Sequence, residues 1–225
     1  TALSNNFLTA GGTHLLGIDS GDQGEMVVVY AHNDTSSASG TYSLAMMYRW
    51  GGTWTETILD TGTDTGHHPS VAIDRQGAIH IAYIDDHNDE LRYATNASGS
   101  WVFTTLGSST YDNDDGRGTA IVVHPITDVV HIVTTINDNT YRDLQYHTNE
   151  DGSWLYSNTK NRGRFPWLCV DTEGRGRTWF SVACKQDPEL PDGVYEYAFI
   201  EKEWKMVKPR PKKETSNTLW TVVCT

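Results

Sequence analysis

Four times in this chain a tyrosine is followed six to eight residues later by a tryptophan: Tyr48 and Trp54, Tyr93 and Trp101, Tyr146 and Trp154, Tyr197 and Trp204. The tryptophans recur every 47 to 53 residues, and each pair ends a similar strand-rich segment. Self-similarity at such a period means one supersecondary unit copied along the chain, each copy unable to bury both of its faces without a neighbour. The units therefore have to stack.

The second unit is the clearest. From Pro69 to Leu106 it reads PSVAID, AIHIAYID, ELRYATN and WVFTTL. These four runs of period-two or continuous apolar character are separated by Gly, Asn, Asp and Ser turn chemistry, which predicts four strands, a to d. The preceding unit aligns as HLLGID, EMVVVYA, SLAMMYRW and TWTETIL, and the next as TAIVVH, DVVHIVTTI, DLQYHT and SWLYSNT. The last is PWLCVD, RTWFSVAC, GVYEYAF and EWKMVK. No stretch of ten or more residues carries helical periodicity. The reading is an all-β chain: a small β-propeller of four or five blades, with one four-stranded antiparallel sheet per blade. A single domain spans 1–225, with repeats at about 12–59, 67–106, 118–159 and 165–208. Residues 1–10 and 216–225 are expected to take part in closing the ring, because the head aligns with a strand d and the tail with a strand a.

With 225 residues, 37% of them hydrophobic, the chain buries its core blade against blade. A net charge of −12 argues against nucleic acid, whose phosphates need a concentrated positive surface. The basic cluster Lys202, Lys205, Lys208, Arg210, Lys212 and Lys213 reads as solvated charge that discourages pairing on an outer edge strand. The longest apolar run, Met26 to Ala31, is too short to enter a bilayer as a span, so no membrane insertion is expected, and no signal peptide heads the sequence. Cys169, Cys184 and Cys224 have no metal spacing; a bridge from Cys224 to Cys184 or to Cys169 stays open.

In an up-and-down blade, the a–b and c–d turns leave one rim while the b–c and d–a loops leave the other. The second set holds the long loops, 33–41, 60–68, 85–90, 107–118, 137–140 and 186–193. Long loops on a rigid scaffold are where binding sits. This rim carries the candidate ligand-binding residues His67, His68, Asp85, Asp86, His87, Arg117, Tyr141 and Arg142, with Asp64 and Asp89 among its other ionisable groups. Imidazole beside carboxylate suits proton transfer or a divalent metal. His80 and His131 occupy matching positions in strand b and read as packing residues between blades, each with a ring nitrogen bonded to a neighbour. The recurrent aromatics read as core that fills the wedge between blades.

No resident cofactor is expected. A calcium ion is admitted at Asp112, Asp114 and Asp115, where oxygen ligands precede Gly116; Val123 stands at the twelfth position in place of a bidentate glutamate, so this is no EF-hand. Phosphate-loop, Gly-x-Ser-x-Gly and His-Glu-x-x-His motifs are absent.

The stretch HHPSVAIDRQGAIHIAYIDDHNDELRYATN resembles repeats of bacterial and viral extracellular propellers grouped with the neuraminidase-repeat superfamily. It is also similar to propeller-type polysaccharide lyases acting on uronate polymers such as ulvan, in which a histidine precedes strand a, Gly-x-Ile-His opens strand b and another histidine follows. That resemblance implies a secreted or extracellular protein with carbohydrate as its partner. For a lyase it implies His68 or His87 as base or acid, Tyr93 or Tyr141 as a phenol partner, and Arg92, Arg117 or Arg142 neutralising the substrate carboxylate. Three functions are compatible with these residues. Foremost is a lectin-like, glycan-recognising propeller; the alternatives are a polysaccharide lyase working by β-elimination and a protein-interaction scaffold.

Overall fold

The computed structural model describes residues 17–21, 24–33, 41–108, 118–137, 142–162, 164–170, 176–182, 193–200 and 203–211, with backbone only for 136–137, 142–143, 159–162, 164–165 and everything beyond 170. Among these residues there are sixteen strands and no helix. Blade 1 holds β1 (Gly17–Ser20), β2 (Met26–Asn33), β3 (Tyr42–Trp50) and β4 (Thr53–Asp60). Blade 2 holds β5 (His67–Ile73), β6 (Ile79–Asp85), β7 (Glu90–Thr95) and β8 (Val102–Ser108). Blade 3 is β9 (Thr119–Val123), β10 (Val130–Asn137), β11 (Arg142–Thr148) and β12 (Leu155–Arg162). Blade 4 is β13 (Arg164–Val170), β14 (Gly176–Val182), β15 (Gly193–Ile200) and β16 (Glu203–Pro211).

Within each blade the strands pair antiparallel in chain order, so every sheet is a meander. The first strands pack on one another in succession, β1 on β5, β5 on β9 and β9 on β13, with the later strands of each sheet leading away from them. That is the radial stacking of a β-propeller.

Burial follows from this placement. β6 is buried along its whole length, which is why AIHIAYID reads as a continuous apolar run, whereas β4 is mostly exposed. Both faces of blade 2 are covered. Ile79, Ile81 and Tyr83 join Val27, Val29, Leu44 and Met46 of blade 1, while Ala82, Ile84, Leu91 and Tyr93 join Ile121, Val123, Val130 and Ile132 of blade 3. Each such aliphatic side chain contributes about 1.5–3 kcal/mol on burial, so the interfaces between blades carry the stability.

Two of the repeated tryptophans serve these interfaces. Trp101 packs on the cluster shared with blade 1, and Trp154 meets the edge of Tyr93 of blade 2 at 4.8 Å. His80 and His131 depart from expectation in one respect. Each bonds through Nδ1 to a tyrosine of its own sheet, Tyr93 at 2.6 Å and Tyr146 at 2.5 Å, rather than to an adjoining blade. The register explains it, since His80 faces Thr95 and His131 faces Thr148, which leaves the tyrosine two residues earlier on the same face. Cys169 is disulfide-bonded, which excludes a Cys184 to Cys224 pair; both of those cysteines lie outside the described residues, as do 1–10 and 216–225.

Candidate functional site

The long rim of blade 2 is built by the loop between β4 and β5 and the turn between β6 and β7. A backbone bond from Asp86 N–H to the Asp64 carbonyl, 3.0 Å, ties the two segments together. Gly66 makes the close approach possible. Its φ is +80°, and a Cβ there would fall 2.6 Å from the Leu44 Cα, so no other residue lets the loop lie on β3. Thr65 N–H then reaches the Tyr42 carbonyl at 2.8 Å.

β5 starts irregularly. Its register on β6 shifts between His67 and Ser70, and His68 adopts φ +47°, a region an imidazole residue enters only where its surroundings hold it. The holding contact comes from blade 3: Thr119 Oγ1 donates to the His68 carbonyl at 2.7 Å and lies 2.8 Å from Ser70 Oγ. Bulges commonly re-aim side chains in this way.

The result is a small polar cluster. His67 Nε2–H donates to Asp64 Oδ1 at 3.0 Å, and its Nδ1 lies 3.8 Å from Asp86 Oδ2. One ligand-type atom from each of the three residues falls within 4.8 Å of the others. The imidazole is 6% exposed, whereas Asp64 and Asp86 are 38% and 20% exposed, so the carboxylates face outward over a buried ring. The edge of Tyr42 packs on His67 at 5.0 Å, and the His68 ring lies 6.4 Å away.

Beside this cluster an ionic network spans blades 1 and 2. Arg92 Nη1 donates to Asp60 Oδ2 at 2.7 Å and lies 3.6 Å from Asp85 Oδ2; Tyr83 O–H donates to the same Asp60 oxygen at 2.6 Å. Burial and the Asp60 carboxylate push the Tyr83 phenol far above its ordinary range, so it remains a donor. Asp85 closes its own turn, accepting from Asn88 N–H and Asn88 Nδ2, both at 3.0 Å.

The sequence-derived candidates therefore separate. His67, His68 and Asp86 come together, and His87 is exposed on the adjoining turn. Asp85 and Arg92 are engaged in the network between blades. Tyr93 is buried, and its phenol, raised to about 12 chiefly by burial, bonds His80, whose Nε2 reaches Asp74 in the short β5–β6 turn at 3.1 Å. That chain leads to the opposite rim. Arg142 opens β11, where only its backbone is described; Arg117, Tyr141, Asp112, Asp114 and Asp115 lie outside the described residues. Tyr42 completes the cluster without having been singled out from sequence, and Asp64 was named there only among the other ionisable groups of the rim. The signal for Asp64 was its place three residues before His67, across a glycine.

No family model matches the sequence, and no curated protein is similar enough to match. Among solved structures the chain is similar to an α-L-arabinanase of Penicillium chrysogenum complexed with arabinobiose, at 11% identity over 87% of this chain and 66% of that one, TM-score 0.63. It is also similar to an α-L-arabinofuranosidase of Fusarium graminearum, at 12% identity over 86% and 66%, TM-score 0.57. An ulvan lyase matches at 11% identity over 91% of this chain and 61% of its own, TM-score 0.53. The chain thus spans about two thirds or less of the length of these structures. At such identities the likeness is one of fold, and the fold is that of a β-propeller.

Proposed function

We propose that this chain is a lectin-like propeller that binds carbohydrate on the long-loop rim of blade 2. The observation that carries the reading is the convergence of Asp64, His67 and Asp86 from two loops onto one outward-facing spot. Ionised carboxylates accept hydrogen bonds from sugar hydroxyls, and a neighbouring imidazole can donate or accept as its tautomer requires. The folds on which an arabinanase holds arabinobiose and an ulvan lyase acts support a glycan as the ligand class. So does the local charge, which selects within that class. Asp64 and Asp86 line the spot, and the nearby Arg92 is held by Asp60 and Asp85, so an uncharged sugar is favoured over a uronate, whose carboxylate would meet like charge. A location outside the cell belongs to the same reading and accords with the disulfide at Cys169.

The test is calorimetric titration of the full chain with neutral oligosaccharides, arabinan fragments included, and with uronate-rich polymers, while ultraviolet absorbance is watched for unsaturated uronate. Saturable binding of a neutral glycan is expected, weakened about tenfold or more by Asp64→Asn and by Asp86→Asn, the loss of a charge-assisted hydrogen bond. Unsaturated product from a uronate polymer, abolished by His68→Ala or His87→Ala, overturns the reading in favour of a lyase.

A further inference from the structure

We infer that Asp64, His67 and Asp86 form a binding site for a divalent transition-metal ion of the zinc or manganese kind. The inference does not need the glycan reading: it rests on the donor set and its placement.

Three features carry it. The first is composition: one imidazole nitrogen and two carboxylate oxygens are a donor set suited to zinc or manganese, whereas calcium and magnesium prefer oxygen alone. The second is spacing. The three donor atoms already lie within 4.8 Å of one another, and the two carboxylates, on loop segments and partly exposed, have to swing onto one ring nitrogen of His67 to bring all three to about 2.0–2.2 Å from a common centre. The third is that the ligands sit on two segments held in register by the Asp86 to Asp64 backbone bond, by the tight Gly66 crossing over β3, and by Tyr42 packed on the imidazole. A site held that way loses little entropy when the ion arrives.

Three protein ligands leave a tetrahedral ion one position short, and the exposure of Asp64 puts that position at the rim. Water fills it in the free protein. A vicinal hydroxyl of a sugar can replace that water, so the ion offsets the two carboxylate charges and offers the ligand a contact. The site is separate from Asp112, Asp114 and Asp115, the calcium candidates of the sequence.

The experiment is titration of the untagged, chelator-stripped full chain with zinc chloride, followed by heat, with manganese and calcium chlorides in parallel. One zinc ion per chain is expected, bound more tightly than calcium. Asp64→Asn and Asp86→Asn, at partly exposed positions that leave the core intact, should each weaken zinc at least tenfold, and His67→Gln should do the same where near-ultraviolet circular dichroism shows the fold retained. Absence of saturable zinc binding, a preference for calcium, or undiminished affinity in the Asp64→Asn/Asp86→Asn double variant each overturns the assignment. Repeating the glycan titration with and without zinc keeps the two readings apart. An ion that binds while no sugar does removes the glycan reading alone, and a sugar that binds an ion-refractory protein removes the metal site alone.

Discussion

Blades 2 and 3 place the same His–Tyr stack in the same register and give it different polar partners. In blade 2, Asp74 caps the short turn, its Oδ1 accepting from Gln76 N–H at 2.9 Å and Ala78 N–H at 2.8 Å. Its other oxygen accepts from His80 Nε2–H, which fixes the tautomer and leaves Nδ1 to accept from the Tyr93 phenol. In blade 3 the aligned residue is His124. Its Nδ1 caps the turn just as well, accepting from Ile126 and Thr127 N–H, both at 3.0 Å, but it has no second acceptor to offer His131, whose Nε2 is without a partner among the described residues. Blade 1 shows a third solution, with Val27 and Met46 at the stacked positions. What the repeats share is shape, and the polar chemistry laid on that shape differs from blade to blade.

The largest consequence of the difference is acid sensitivity concentrated in blade 3. Burial, with a smaller contribution from His124, lowers His131 to about 4, and burial alone lowers His147 to about 4. His80 is also lowered by burial, against which the hydrogen bond and charge of Asp74 act. A depressed imidazole means that the unfolded chain binds more protons than the folded one between the two values. The stability contributed by the neutral rings is thus complete above the ordinary value of 6.5 and drains away as the pH falls from 6.5 towards 4. Each ring is worth roughly 3 kcal/mol at the end of that window. Urea unfolding between pH 7 and pH 4 should show the loss, and His131→Leu should reduce its slope. An unchanged slope in that variant breaks the comparison.

A smaller effect, of opposite sign, is expected from making blade 3 resemble blade 2. His124→Asp keeps a turn-capping acceptor and supplies the carboxylate that His131 Nε2 lacks. The gain should be about 1–2 kcal/mol at pH 7, the worth of a charge-assisted bond to a buried donor. The same variant should raise the His131 titration, which nuclear magnetic resonance of the ring protons reads directly. A stable variant in which that titration stays where it is would mean that the two turns are not equivalent in space.

Much of this comparison could be read before any coordinates. The 47 to 53 residue period gives the blades, and the matched positions of His80 and His131 are visible in the alignment of strand b. The Asp74 and His124 exchange at the end of strand a is visible too, although its meaning waits on the hydrogen bonds. Facing direction was harder. β6 is buried on both sides, so its apolar pattern does not tell which residues meet blade 1 and which meet blade 3, and Tyr93 could be taken for a rim residue until its register with His80 was fixed. The rim cluster was half legible. His67 and Asp86 stand out as loop imidazole and carboxylate, but the contribution of Asp64 depends on a crossing that only Gly66 permits, and Arg92 looked available because its partner Asp60 belongs to another blade.

The ionic contact between the short turns of the two blades should matter least. Arg75, in the short turn of blade 2, makes a two-pronged contact with Asp128 in the short turn of blade 3, Nε to Oδ1 at 3.2 Å and Nη2 to Oδ2 at 2.9 Å. The geometry is good, and the pairing raises the Arg75 guanidinium and lowers the Asp128 carboxyl. Yet the side chains are 48% and 31% exposed, where water and salt screen the attraction and ordering a long side chain offsets what remains. Arg75→Gln should therefore leave the urea midpoint unmoved within error at both low and high salt. Asp128 sits at φ +57°, so Asp128→Asn, which tolerates that backbone, is the matching change on the other side. A clear drop in the midpoint for both variants, erased by salt, would show that the short rim couples blades 2 and 3 through charge as well as through the buried stacks.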